Sequence, residues 1–493
     1  MREYIFEIFK KNPKELNELY GVRALGCYIV IAFHTYTSSI LFLPDHLTTF
    51  RERIQNLEVV MDLFFVISSY LVVASFSREL GKKPFATAWK NFFIKRSLRI
   101  FPAMYMLIAF TVSLMSFTVL AGKAGINLGI MTDGMPKMER QLSYWWADAL
   151  YISNYFPDRI HIHSWSLGME EQFYLCMPLF LYIYIYWCKD TVKRISLLTF
   201  GLLLALLLRF YLFFHAEITN FDEYLTKIYH PIHTHFDSFL VGILLVEIMK
   251  QKAEEVQSRF SPKLFYFAFF ILFGIYISTF QWEFKDAPFY YVVFRISLFA
   301  VLSGFFTLGV IAGYFRVLNS VFRNGALVVV GKLSYGIYLV HMYVSALVSL
   351  KVLNFYSKET NGYWELFVTS IFALLASSIV ALLSYLILEK PFIKIREWTQ
   401  PKYDLVGQRF YTSLVNPKEL LVVATLLTFL SFLPYQIVKV FLKSEFLSKS
   451  IWSQGALNLC LLVPILLNLY SLIRFRKLWF VYWLQQNTEL SPK

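Results

Sequence analysis

The sequence predicts an all-α fold, a polytopic membrane helix bundle, and three observations carry that expectation. Hydrophobic residues make up 57% of the 493-residue chain and charged residues only 16%. Apolar runs of about 20 residues, the length that spans a bilayer as a helix, recur along the chain. The basic residues between those runs alternate in density as cytoplasmic and external loops do.

Twelve spans are read, at 20–43, 57–79, 100–122, 168–188, 194–214, 234–250, 263–281, 289–313, 330–351, 366–389, 418–442 and 456–475. With the N-terminus in the cytoplasm, and basic residues at span ends counted with the adjoining loop, inside segments hold 31 of the 47 Lys and Arg residues and outside loops hold 12. The remaining four, Arg23, Arg209, Arg295 and Lys439, fall within helices. A miscounted span would invert this bias downstream of the error, so both termini are placed in the cytoplasm. The net charge of +14 then records basic cytoplasmic loops, and nucleic acid is not an expected partner. Four scattered cysteines show neither metal-ligand spacing nor a disulfide framework. Residues 1–19 are charged and lack the apolar core of a signal peptide, so they read as a cytoplasmic segment.

The first span carries two ionisable groups, Arg23 and His34. Eleven residues of separation amount to roughly three turns, so both side chains share one face about 16 Å apart along the axis. His34 falls near mid-membrane, where an ionisable group is costly unless it faces a bundle interior or a wet cavity. The plain alternative is a histidine hydrogen-bonded across a helix interface, with Arg23 as an interfacial anchor. The second span has Glu58 and Asp62 at its outside end. Before the third, Arg96 and Arg99 are i,i+3 neighbours at the level of Arg23. Three arginines at one depth suit an anion, because each planar guanidinium grips two phosphate oxygens; ordinary positive-inside charge is the competing explanation.

The outside loop 123–167 is rich in Trp, Tyr and Ile and is expected to fold back against the membrane or the bundle. Glu170 and Glu171 follow it at the outside end of the fourth span, where carboxylates complement a helix N-terminus. The chain thus pairs a cationic cytoplasmic mouth with an acidic outer mouth. In HPIHTHFDSFLVG (230–242), His233 and Asp237 share a face, but a third convergent ligand is missing. No metal site is expected there; Asp237 reads instead as a hydrogen-bonding group of the outer cavity. The ninth span places His341 at the depth of His34, with Tyr338 one turn before it, and Glu389 closes the tenth near the cytoplasmic arginines. Residues 397–417 read as a cytoplasmic linker, and 418–493 as two accessory transmembrane helices with a cytoplasmic tail.

Taken in order, Arg23-x10-His34, LFFVISSYL (63–71), KRSLRIFP (95–102), WSLGMEEQFYLCMP (165–178), FDSFLVG (236–242), GKLSYGIYLVH (331–341) and LEKPF (388–392) resemble the acyltransferase-3 family over residues 15–396. The resemblance implies a ten-helix acyltransferase core, placed at 20–396, with two C-terminal transmembrane helices added. It implies a multipass O-acyltransferase of the cytoplasmic (inner) membrane that moves acyl groups, usually acetyl from acetyl-CoA, to hydroxyls of extracytoplasmic glycans. Arg23 and His34 match the family's Arg-x10-His motif, whose His is essential, and Arg96 and Arg99 match its basic motif. No bound cofactor is implied, since acyl-CoA enters as the donor substrate.

The expected partners are acyl-CoA, a glycan or glycolipid acceptor and the lipid bilayer. Residues 418–475 are expected either to recruit a membrane partner or to shield the core. His34 is expected to act as general base or brief acyl carrier. Glu170, Glu171, Asp62 and Asp237 are candidates to orient it, and His235, Ser166, Trp165, Tyr338 and His341 are candidates to support the acceptor side. Two departures stand out: Ser68-Ser69 replaces the usual Ser-Gly of the second helix, and His235 stands where Arg is common. Some members carry an esterase domain after the core, where this sequence reads as two further helices. A proton-coupled transporter or glycan flippase is the alternative function, with His34 and His341 as relay groups.

Overall fold

The computed structural model describes residues 7–10, 15–40, 43–44, 54–126, 134–250, 253–353 and 362–393. The expected linker and the spans at 418–442 and 456–475 lie outside the described residues. Ten long helices occupy the positions of the first ten expected spans. They are α1 (Asn17–Ser39), α2 (Asn56–Leu80), α3 (Phe85–Lys123), α4 (Ser164–Trp187), α5 (Thr191–His215), α6 (Asp237–Ile248), α7 (Pro262–Thr279), α8 (Tyr290–Ile311), α9 (Ser334–Leu353) and α10 (Tyr363–Ser384). Among the described residues, seven helices are long and apolar enough to cross a membrane; α1, α4 and α6 fall short of that measure.

Local chemistry explains several boundaries. The Asp190 side chain accepts from Val192 N to cap α5, and Ser261 caps α7 with Pro262 in its first turn. α6 is short because its expected first turn does not form. Pro231 is followed by a single 3-10 turn, and the Thr234 carbonyl accepts from Arg209 Nη1 at 2.7 Å. Two π turns, Leu225–Tyr229 and Tyr290–Phe294, bracket the same region. Such turns shift the register of the side chains that follow, and they recur at functional sites.

The described residues within 1–94 and 147–386 form one compact unit. Within it, α2 packs against α1, α4, α6 and α8. α1 packs in turn on α9, α10 and the short helices Arg316–Phe322 and Gly325–Lys332. Cys27 and Ile31 of α1 share a buried cluster with Ile337 of α9 and Ala373 and Ala381 of α10. The α2–α6 contact is close because Gly242 faces Ser69: a Cβ on Gly242 would stand 2.5 Å from the Val66 carbonyl oxygen. The small residue that the Ser68-Ser69 pair lacks is thus supplied by the opposing helix.

On α5 the outward residues are large and apolar, with Leu203, Leu207, Phe210 and Phe214 about half exposed or more. Such a face calls for an apolar surrounding. Arg209 of the same helix is 0% exposed and points into the protein. The tail of the 123–167 loop is folded in as expected, with Asp148, Asn154, His161 and His163 all buried.

Among the described residues, 95–126, 134–146 and 387–393 belong to the second unit. In it α3 runs unbroken through Pro102, and Lys123 pairs with Glu139. The charge of Arg99 acts on the buried Glu389, the partnership the sequence suggested for that carboxylate.

Candidate active site

Three histidines from three segments meet inside the first unit. The His34 ring of α1 lies 4.9 Å, centre to centre, from that of His341 on α9. The His341 ring lies 5.1 Å from that of His163, which immediately precedes α4, and His161 follows at 5.9 Å from His163. His341 is 0% exposed and His163 3%, whereas His34 is only partly buried. The cluster therefore has an accessible member and a closed interior. Nδ1 of His341 is 2.6 Å from the Tyr338 carbonyl. Its Nε2 and the Nδ1 of His163 are buried without a hydrogen-bond partner among the described residues. Such groups are rare and call for an explanation.

Tyr338 ties α9 to the α4 entrance. Its hydroxyl donates to the His163 carbonyl at 2.7 Å and meets Ser166 Oγ at 2.5 Å. Trp165 packs between Phe65, Tyr229, His230 and His235. Behind it, Arg159 donates to the Ser153 carbonyl and lies 3.0 Å from His230 Nδ1. Burial pushes the Arg159 guanidinium down to about 10, against the pull of the Asp148 charge.

The carboxylates are distributed differently from an open acidic mouth. Asp62 is 0% exposed and meets His235 Nε2 at 2.6 Å; Ser238 and Tyr229 also donate to it. Glu58 pairs with Arg295 at 2.7 Å, and Asp237 receives both Nη atoms of Arg209, at 3.0 and 2.7 Å. The physical reason is that a buried carboxylate without a partner is strongly penalised, so each recruits a cation. His233 and Asp237 do not form a ligand set, and among the described residues no group of three or more His, Cys, Asp or Glu is arranged to hold a metal. Glu170 accepts from Tyr174, which also contacts Ser68 at 2.6 Å. Glu171 is half-buried one residue further on. Arg23 lies on α1, half-buried, in the first unit, and Arg96 and Arg99 belong to the second.

The site thus joins histidines on α1, α9 and the α4 entrance in one protein interior. An acyltransferase domain model of family 3 matches residues 16–387. The chain belongs to the acyltransferase-3 family. The match runs from the start of α1 to the π turn after α10 and includes every residue of the histidine cluster.

Among acyltransferase-3 relatives, a provisionally named O-acetyltransferase of Staphylococcus aureus (strain COL) is 26% identical over 395 residues, covering 74% of this chain and 58% of its own length. The peptidoglycan O-acetyltransferase OatA of Listeria monocytogenes is 26% identical over 385 residues, covering 76% of this chain and 55% of its own. The nose resistant to fluoxetine protein 6 of Caenorhabditis elegans is 22% identical over 442 residues, covering 79% and 52%. The chain spans a little over half the length of the curated relatives it matches. No solved structure matches it.

Sequence reasoning about the acyltransferase-3 core singled out His34 and His341 but passed over His163 and His161. The available signal was their own spacing, His-x-His directly before the helix start SWSLG (164–168). Likewise, Arg209 and Arg295 were counted only as basic residues within helices, although an intramembrane arginine calls for an acidic partner.

Proposed function

We propose that this chain is a multipass membrane O-acyltransferase that moves an acyl group, in the first instance acetyl, from acyl-CoA on the cytoplasmic side to a glycan hydroxyl on the other. The observation that carries the reading is the meeting of His34 with two buried imidazoles inside an acyltransferase-3 core. The relatives named as O-acetyltransferases support acetyl as the group, and the one named for peptidoglycan supports a glycan acceptor.

In this reading the half-buried His34 is the group that touches the reactants. As general base it takes the proton of the acceptor hydroxyl while the hydroxyl oxygen attacks the thioester carbonyl; as nucleophile it carries the acyl group between the two substrates. Arg23, Arg96 and Arg99 are assigned to the phosphates of the donor on the strength of their side-chain chemistry and motif positions. Both termini are placed in the cytoplasm on the strength of the loop charges, and the inner membrane on the strength of the family resemblance.

The test is transfer of isotope-labelled acetyl from acetyl-CoA to glycan fragments by purified full-length protein in detergent. A labelled ester on the glycan, formed about 10²–10⁴-fold more slowly with His34→Ala at equal protein level, is the expected result. Label that never becomes covalently attached, or a fully active His34→Ala variant, overturns the reading.

A further inference from the structure

His341 is held in one orientation by its own helix. Its Nδ1 faces the Tyr338 carbonyl at 2.6 Å. A carbonyl only accepts, so Nδ1 carries the ring hydrogen, and in the neutral ring Nε2 is the bare nitrogen. That nitrogen is buried and has no hydrogen-bond partner among the described residues. The nearby His34 ring stands 4.9 Å away, centre to centre. Two imidazoles sharing an N–H···N bond of ordinary length have centres roughly 5 Å apart. The two rings are therefore at the right separation for His34 to fill the vacant acceptor by a change of ring angle alone; they are now inclined at 51°.

We propose that His341 is a positioning residue for acyl transfer: its bare Nε2 receives the N–H of His34, which fixes the tautomer of His34 and turns the lone pair of His34 toward the acceptor hydroxyl. This rests on the acyltransferase reading above and extends it to a second residue. In the step itself, the hydroxyl oxygen bonds to the thioester carbonyl carbon and its proton passes to the facing nitrogen of His34. The charge gained by that ring is shared through its other N–H with His341 Nε2. Collapse breaks the carbon–sulfur bond, and the same proton moves from His34 to the departing thiolate. Ester and thiol are formed with no oxidant or reductant required. His163, 5.1 Å beyond His341 and also buried, closes the far side of the pair.

The experiment compares acetyl transfer by detergent-purified wild type, His341→Asn, His34→Ala and the double variant. Asparagine keeps a donor toward the Tyr338 carbonyl at the place of Nδ1 but puts no acceptor at the place of Nε2. His341→Asn is expected to lower kcat by about 10²–10⁴-fold with KM for acetyl-CoA changed by less than about two-fold. In the His34→Ala background the same substitution is expected to have almost no further effect, because the two residues act as one unit. His341→Gln, whose amide oxygen reaches the place of Nε2, is expected to restore part of the lost rate, and should the asparagine variant aggregate, His341→Phe, which also lacks the acceptor, takes its place. Nitrogen-15 spectra of histidine-labelled wild type provide an independent reading, with His341 protonated on Nδ1 and bare on Nε2.

An active wild type with an equally active His341→Asn overturns the proposal. So does a loss just as large in the His34→Ala background, or a His341 ring protonated on Nε2 and bare on Nδ1. A wild type that transfers no acetyl at all overturns the acyltransferase reading instead, and the two failures are distinguishable.

Discussion

Asp62 and His235 meet at 2.6 Å in a fully buried contact, and the other nitrogen of His235 faces the Tyr229 carbonyl at 2.5 Å. Both ring nitrogens thus point at acceptors, so the pair holds a hydrogen on each side of the ring. Asp62 in turn gathers Ser238 and Tyr229. These contacts tie α2 to the start of α6 and to the π turn before it, directly beneath Trp165.

The pair is expected to behave as one structural unit. Asp62→Asn or His235→Gln alone should destabilise the protein by about 3–5 kcal/mol, since each leaves a buried polar partner uncompensated. The double variant should lose less than the sum of the two, by about 0.5–3 kcal/mol. Unfolding of the four proteins in one detergent measures this; strict additivity would show that the contact carries no coupling.

Gly242 and Ser69 form a second testable junction. Gly242→Ala places a methyl against Val66 and Ser69 and should cost about 1–3 kcal/mol by overpacking. Ser69→Gly in the same protein should recover part of that loss by returning space from the α2 side. A Gly242→Ala protein as stable as wild type would mean the helices separate freely there.

Much of the fold was legible in the sequence, and the reason is physical. A bilayer demands long apolar helices, so hydropathy and loop charge alone located the ten helices that the structure describes. The face shared by Arg23 and His34 and the depth match of His341 also follow from helix geometry. What could not be read was which cation each carboxylate would choose. Glu58 and Asp62 looked like an exposed rim because nothing local announces Arg295 or His235, both more than 170 residues away. The non-helical run before Asp237 was hidden for the same reason, since Arg209 holds the Thr234 carbonyl from another helix.

The arginines before the apolar part of α3 provide a prediction about the donor. Arg96→Ala with Arg99→Ala should raise KM for acyl-CoA about 10-fold or more, as loss of charge-assisted phosphate bonds would require. Lysine at both positions should restore only part of the affinity, because a point charge does not reproduce the two-pronged guanidinium contact. Calorimetric titration with coenzyme A supplies the check, and unchanged affinity would return these residues to the role of loop charge.

Removal of the chain after about residue 410 should leave a protein that still turns over acyl-CoA, because the family match ends at residue 387. Glycan acetylation in cells is expected to fall if the removed segment recruits a partner. Size-exclusion profile and acyl-CoA turnover in detergent, measured on both lengths, decide the matter. A monodisperse truncated protein that binds acyl-CoA without turnover would place the removed segment in the reaction.

The packing of α1 on α9 and α10 has a consequence for how the protein is made. α1 ends at Ser39, whereas α10 ends at Ser384, and ribosomes extend chains at roughly 5–20 residues per second. The helix bearing Arg23 and His34 therefore waits about 20–70 s in the translocon or in lipid before its last neighbours are synthesised. During that interval a chaperone, the insertion machinery or a provisional helix pairing must shelter both polar groups. α1 therefore receives the last of its core only once α10 has been made.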